Sequence, residues 1–203
     1  MIVITPPERQ YIEGLASDIV DVASNCICKV HLRIPGASET DFRKVLDSLE
    51  PAYHQHIVLC DHYALLAEYD VAGVYLPYRR VAEWRDILLA PHQTIAVGAH
   101  SIQELLELPF TPDYALLSPL FDSISKEGYQ GNSALLSCRE ELLKLPYPVY
   151  ALGGITPERQ ETVAKAGYAG VAVLGDIWSQ PQERRQERLD QYQTPAILTV
   201  AGH

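Results

Sequence analysis

The chain is short of positive charge: 16 lysines and arginines face 26 aspartates and glutamates over 203 residues, for a formal net charge of −10. A nucleic-acid surface needs a basic face whose contacts release phosphate counterions. This balance therefore argues against a general polynucleotide binder, and any phosphorylated ligand must be held by local donors. Long apolar runs are lacking too. No stretch reads as a membrane span, and the strand-like Ile2-Val-Ile-Thr5 opens the chain with no basic segment before an apolar one, so no signal peptide is expected. The expected location is the cytoplasm, with no membrane partner. Cysteine is sparse and unpatterned. Cys26, Cys28, Cys60 and Cys138 contain no C-x-x-C pair and are expected as reduced core residues.

What is present is a regular alternation of short apolar runs with amphipathic segments. The runs Met1–Pro6, Cys26–Ile34, His56–Cys60, Gly73–Leu76, Thr94–Gly98, Asp113–Leu117, Pro148–Leu152 and one from about Gly170 to Leu174 read as strands. Between them, helices are expected over Tyr11–Ser24, around Phe42–Leu49, in the short segment Tyr63–Glu68, over Val81–Leu89, after Ser101, over Ser133–Leu145, over Pro157–Ala166 and from Pro181 to about Gln191. Ser38 with Asp41, and Ser101 with Glu104, resemble capping boxes. Eight strand–helix pairs predict a single (β/α)8 TIM-barrel domain over 1–203, lean for a fold of roughly 200 to 400 residues. Pro195–His203 is expected as a packed extension or a frayed end.

In such a barrel, ligands sit at the C-terminal ends of the strands. After strand 7, Gly153 and Gly154 precede Thr156, a good N-cap, and Pro157, which suits the first helical position. After strand 8, Gly175-Asp176 repeats the strand–glycine–helix pattern. These turns suit a phosphate, or else serve only close helix–sheet packing. The long segment Ser118–Gly131 carries Ser123, Ser125 and Lys126, a set suited to an oxyanion or to a solvated loop. Alternation puts His31 and Arg33 on one side of strand 2. Arg33 reads as a ligand contact or an internal ion pair, and His31 as a general acid–base group or a structural histidine. Asp61 follows strand 3 as a cap or a cation ligand, and Arg79 and Arg80 follow strand 4.

Val30-His-Leu-Arg33, Asp61 with Gly73-Val, Asp113-Tyr, Ser118-Pro-Leu-Phe-Asp-Ser-Ile-Ser-Lys126, Leu152-Gly-Gly-Ile-Thr156 and Gly170-Val-Ala-Val together resemble the thiamine-phosphate synthase/TenI superfamily over essentially the full length. The resemblance implies a thiazole ethyl phosphate held by Ser123, Ser125, Gly154 and the Gly175-Asp176 turn. In the synthase branch it implies joining a hydroxymethylpyrimidine diphosphate to that thiazole, with the released diphosphate held by magnesium, Arg33 and Lys126. Asp61 would then be one metal ligand.

The sequence departs from the synthase pattern at three places: Pro35 replaces a lysine, Arg80 replaces the second metal aspartate, and Pro77-Tyr78 replaces a glycine–glutamine pair. His31 and Leu76-Pro77 resemble the TenI branch, although its strand-6 histidine is Pro119 here. The first expectation is therefore a TenI-type thiazole tautomerase needing no cofactor, with catalytic His31, Arg33 and Lys126 and His31 as the base. The alternatives are a divergent synthase using magnesium, with Arg79 or Arg80 sharing the diphosphate, and a non-catalytic binder of thiamine phosphate or thiazole phosphate. A homo-oligomer is compatible with either branch.

Overall fold

The computed structural model describes residues 1–6, 12–25, 28–122 and 130–193. Eight strands close into a barrel in sequence order: β1 Ile2–Ile4, β2 Lys29–Leu32, β3 Ile57–Leu59, β4 Gly73–Pro77, β5 Thr94–Ala99, β6 Tyr114–Leu117, β7 Val149–Leu152 and β8 Gly170–Val173. All neighbours are parallel, including β1 with β8, as the (β/α)8 reading requires. The helices are α1 Ile12–Asn25, α2 Glu39–Asp47, α3 Pro51–His54, α4 Ile102–Leu106, α5 Arg139–Lys144, α6 Gln160–Lys165, α7 Gly175–Trp178 and α8 Gln182–Gln193.

Strand alternation divides the core in two. Odd-numbered β1 partners such as Val3, with Val30, Leu32, Ile57, Leu59 and Val74, face the helices and meet Leu15, Ile19, Phe42 and Leu46 from α1 and α2. Residues of the opposite parity fill the barrel: Ile2, Ile4, Ala96, Tyr114, Leu116 and Ala172, with Tyr75, Tyr150, Leu152 and Leu174 against them. This interior is unusually aromatic on one side. Room for Tyr75 comes from a glycine on the neighbouring strand β5; a Cβ on Gly98 would fall 1.8 Å from the Tyr75 hydroxyl.

The capping box predicted before α2 is present, with Ser38 Oγ accepting from Asp41 N and Asp41 Oδ2 accepting from Ser38 N. At α4, Ser101 Oγ accepts from Glu104 N, but Glu104 Oε2 accepts from His100 N at 2.6 Å, so the return half of the box holds the preceding histidine. Thr156 occupies the predicted cap position without a side-chain capping bond, ahead of the 3-10 turn Pro157–Arg159.

The helix expected over Val81–Leu89 is instead a 3-10 helix, Tyr78–Asp86, none of whose residues is buried. Beyond Tyr78 at its start, only Val81, Ala82 and Trp84 are apolar in its length, too few to make the stripe that would dock an α-helix. The helix expected over Ser133–Leu145 likewise splits into a 3-10 turn, Ser133–Ser137, and α5. The cysteine expectation also needs correcting, because Cys28 is disulfide-bonded whereas Cys60 and Cys138 are free thiols. Tyr11, Cys26 and Pro195–His203 lie outside the described residues. Among the described residues, no helix is long and apolar enough to cross a membrane.

Candidate active site

A cavity of about 490 Å³ opens at the C-terminal end of the barrel. Its floor is made by His31, Tyr75 and Leu152, its rim by Arg33, Arg79 and Arg80, and its far wall by Pro119, Gly153 and Gly154. The strand-2 pair is therefore brought to one site, as alternation implied, but in different settings.

His31 is buried, with 1% of its surface exposed. Its Nε2 lies 2.8 Å from the Tyr114 hydroxyl and its ring 5.2 Å from that of Tyr75, while Nδ1 has no hydrogen-bond partner among the described residues. Burial, and then the charge of Lys29 below it, lower its pKa to about 3. The imidazole is thus neutral at any ordinary pH and a weak base. Arg33 stands at the exposed rim. Its backbone is fixed by Thr5, whose hydroxyl accepts from Arg33 N at 2.9 Å and donates to Arg33 O at 3.0 Å. Its guanidinium makes no hydrogen bond or ion pair among the described residues and is open to a ligand.

Asp61 closes β3. Its Oδ1 accepts from Arg80 Nη1 at 2.9 Å and from the His62 backbone N–H at 2.9 Å. His62 reaches that position through a left-handed backbone, φ 50° and ψ 49°, an uncommon conformation for a residue with a side chain. Partial burial pushes the Asp61 carboxyl up, but the bonds from Arg80 and His62 outweigh it and hold the group below the usual carboxylate range. Arg80 also makes a bidentate pair with Glu83, at 2.6 and 2.8 Å, and its guanidinium lies 4.7 Å from the Tyr63 ring. A 3-10 helix repeats every three residues, which places Arg80 and Glu83 on one face.

Gly153 and Gly154 line the cavity with φ of +102° and +59°. A Cβ on Gly154 would sit 2.2 Å from Asp122 O, so the turn packs directly on the loop after β6. Backbone bonds from Leu120 N to Leu152 O and from Phe121 N to Gly153 O join the two. Gly175 begins α7 after cavity-lining Leu174. The Asp176 side chain turns away from the cavity into a bond network with Arg188 and Tyr192 of α8, leaving only its backbone for a phosphate role. Ser123, Ser125 and Lys126 lie outside the described residues.

The sequence reading missed His100, which lines the cavity just past β5. Its Nδ1 is 2.9 Å from Ser118 O. A carbonyl only accepts, so Nδ1 carries the proton and Nε2 is the acceptor of the neutral ring. The signal was available, since position 100 directly follows the apolar run that ends at Ala99.

The sequence model of the family described as thiamine monophosphate synthase matches residues 1–177. The chain belongs to this family. A thiamine-phosphate synthase of Chlamydia caviae is 29% identical over 178 residues, covering 80% of this chain and 81% of that protein. Two solved structures share the fold. A thiamine phosphate pyrophosphorylase of Bacteroides thetaiotaomicron has a TM-score of 0.72 at 24% identity and covers 95% of both chains. One of Pyrococcus furiosus has a TM-score of 0.74 at 20% identity and covers 95% of this chain and 92% of that one.

The magnesium implied by the synthase branch of the family fits these residues poorly. Among the described residues Asp61 is the one carboxylate lining the cavity, and its Oδ1 is already bonded to a guanidinium. Among the described residues, no three His, Cys, Asp or Glu side chains are grouped to hold a metal. A divalent cation at Asp61 would face the positive charge of Arg80 at contact distance.

Proposed function

We propose that the protein is a thiamine-phosphate synthase, a transferase that joins a hydroxymethylpyrimidine diphosphate to a thiazole ethyl phosphate and releases diphosphate. The observation that carries this reading is the division of one cavity between two anion-binding sides. Three arginines, Arg33, Arg79 and Arg80, rim it over β2 and β4, and the glycine turn Gly153–Gly154 faces them over β7. The first side suits a diphosphate, which guanidiniums bind through paired N–H donors. The second suits a monophosphate held by backbone amides, with Gly175 at the start of α7 and Ser123, Ser125 and Lys126 as further contacts.

The chemistry asks little of a base. The methylene C–O bond breaks with its electron pair leaving on the diphosphate, and the thiazole ring nitrogen supplies the pair for the new C–N bond. The main task is to stabilise charge gathering on the leaving group, and a guanidinium fixed in advance, as Arg80 is by Asp61 and Glu83, does this without reorganisation. A neutral, buried His31 is compatible with that task, because it shapes the aromatic floor. Its low basicity weighs against the base role expected from the sequence.

The test is a fluorescence assay for thiamine phosphate with both substrates supplied. Product formation supports the transferase. Its absence, in a protein that still binds thiazole phosphate, would sink this reading. The tautomerase reading would then rest on His100, whose Nε2 is left as an acceptor by the Ser118 bond, and His100→Gln should abolish thiazole isomerisation. Binding with neither activity would indicate a silent ligand carrier.

A further inference from the structure

We propose that Arg80 occupies the role of a divalent cation in this site, so that the Asp61–Arg80 pair forms a metal-free seat for the departing diphosphate. The proposal deepens the transferase reading and rests on it.

Four observations support it. First, the cavity rim is cationic although the whole chain is acidic. Among the described residues, the guanidiniums of Arg33, Arg79 and Arg80 outnumber the carboxylates near them, Asp61 and Glu83. Second, Arg80 is fixed from three directions: Nη1 on Asp61, Nε and Nη2 on Glu83, and the face of its guanidinium toward Tyr63. These bonds use three of its five N–H donors, and the remaining two, one on each terminal nitrogen, are available to phosphoryl oxygens. Third, Asp61 has its own orientation enforced, since left-handed His62 turns its N–H onto the oxygen that also receives Arg80. The His62 ring is anchored in turn by Nε2 at 3.0 Å from Ala37 O, which ties the loops after β2 and β3 together. Fourth, Arg33 and Arg79 both act electrostatically on the Tyr75 hydroxyl at the cavity floor, opposing the burial that raises its pKa.

A magnesium ion is normally held here by one or two carboxylates together with substrate phosphates. At this site the carboxylate and the cation that neutralises it are both covalently part of the chain. The charge is present before substrate binds and does not depend on free metal. The role demands a rigid planar fork, which Arg supplies and Lys does not.

The experiment uses inorganic diphosphate as the probe and the full chain as the protein. Calorimetric titration is run in chelator and again with magnesium, and manganese binding is followed by electron paramagnetic resonance. Wild-type protein should bind diphosphate equally well in both buffers and should not sequester manganese. Arg80→Gln should weaken chelator-resistant binding by about tenfold or more, the loss of a charge-assisted bond. Arg80→Asp places a second carboxylate beside Asp61 and should gain manganese binding while diphosphate binding becomes metal-dependent. Arg80→Lys, which keeps the charge and so guards against loss of fold, should still lose affinity because the fork is gone.

Wild-type binding that appears only with magnesium, or Arg80→Gln binding as tightly as wild type, would overturn the proposal. The two readings fail separately. Chelator-resistant diphosphate binding without thiamine phosphate synthesis removes the transferase and leaves the seat, whereas synthesis that requires magnesium removes the seat and leaves the transferase.

Discussion

Arg188 grips Asp176 through two parallel hydrogen bonds, Nε to Oδ2 at 2.7 Å and Nη2 to Oδ1 at 2.8 Å. Asp176 is 5% exposed, and Tyr192 donates to the same Oδ2 at 2.7 Å while its hydroxyl lies 3.1 Å from Ile155 O. Helix α8 thereby holds α7 and the turn after β7 in fixed relation, and those are the two segments that the phosphate reading needs in register. Removing one member of a largely buried ion pair strands the other charge. Arg188→Ala should therefore lower unfolding free energy by about 3 kcal/mol in urea titrations. Tyr192→Phe, which removes one hydroxyl, should cost about 1 kcal/mol. It should also raise the KM for thiazole phosphate more than it lowers kcat.

Gly154→Ala should be damaging for two independent reasons. At φ +59° a left-handed backbone costs a residue with a Cβ about 1–2 kcal/mol. The new carbon would also press on the Asp122 carbonyl, a backbone atom that cannot rotate aside. We expect a lower melting temperature together with weaker thiazole phosphate binding. A variant as stable as wild type would show that the turn after β7 can move away from the loop after β6.

The barrel was readable because eight apolar runs were each bounded by turn residues, and the rule that ligands meet strand ends pointed to Arg33, Asp61 and Gly153–Gly154 together. What could not be read was side-chain commitment. Asp176 looked like part of a phosphate turn, yet its carboxylate belongs to Arg188, twelve residues later, across a helix–helix contact with no local signature. His31 looked like a base because free histidine titrates near neutrality; the tyrosines that bury it arrive from β4 and β6. Arg80 looked like an exposed rim residue or a missing ligand. Its partner Asp61 stands nineteen residues earlier, at the end of a different strand, and no local pattern joins the two.

The environment of His31 makes acid stability a direct test of its burial. In the unfolded chain the imidazole takes a proton near pH 6.5, but in the barrel its pKa is about 3. Between those values the unfolded state binds the additional proton. The stability contribution is complete above about pH 6.5 and is lost as pH falls, by about 1.4 kcal/mol per pH unit. His31→Gln should flatten that slope, and the wild-type ring should show no NMR titration between pH 8 and 5. A titration midpoint near 6 would mean that the ring meets solvent.

Lys29 supplies the second cause of that shift and can be tested separately. Its ammonium lies at the opposite end of the barrel interior, donating to Thr94 Oγ1 at 2.8 Å and standing 4.9 Å from the centre of the Tyr114 ring. Tyr114 also meets His31, so one phenol ring is shared by a cation below and an imidazole above. Lys29→Met keeps the aliphatic stem and removes the charge. The folded-state pKa of His31 should then rise, the gap to the unfolded value should narrow, and less stability should be lost on acidification. Comparing wild type and Lys29→Met by urea denaturation at pH 7 and at pH 3, close to the folded-state pKa of the ring, should show a smaller drop in the variant. Equal drops would assign the depression of His31 to burial alone.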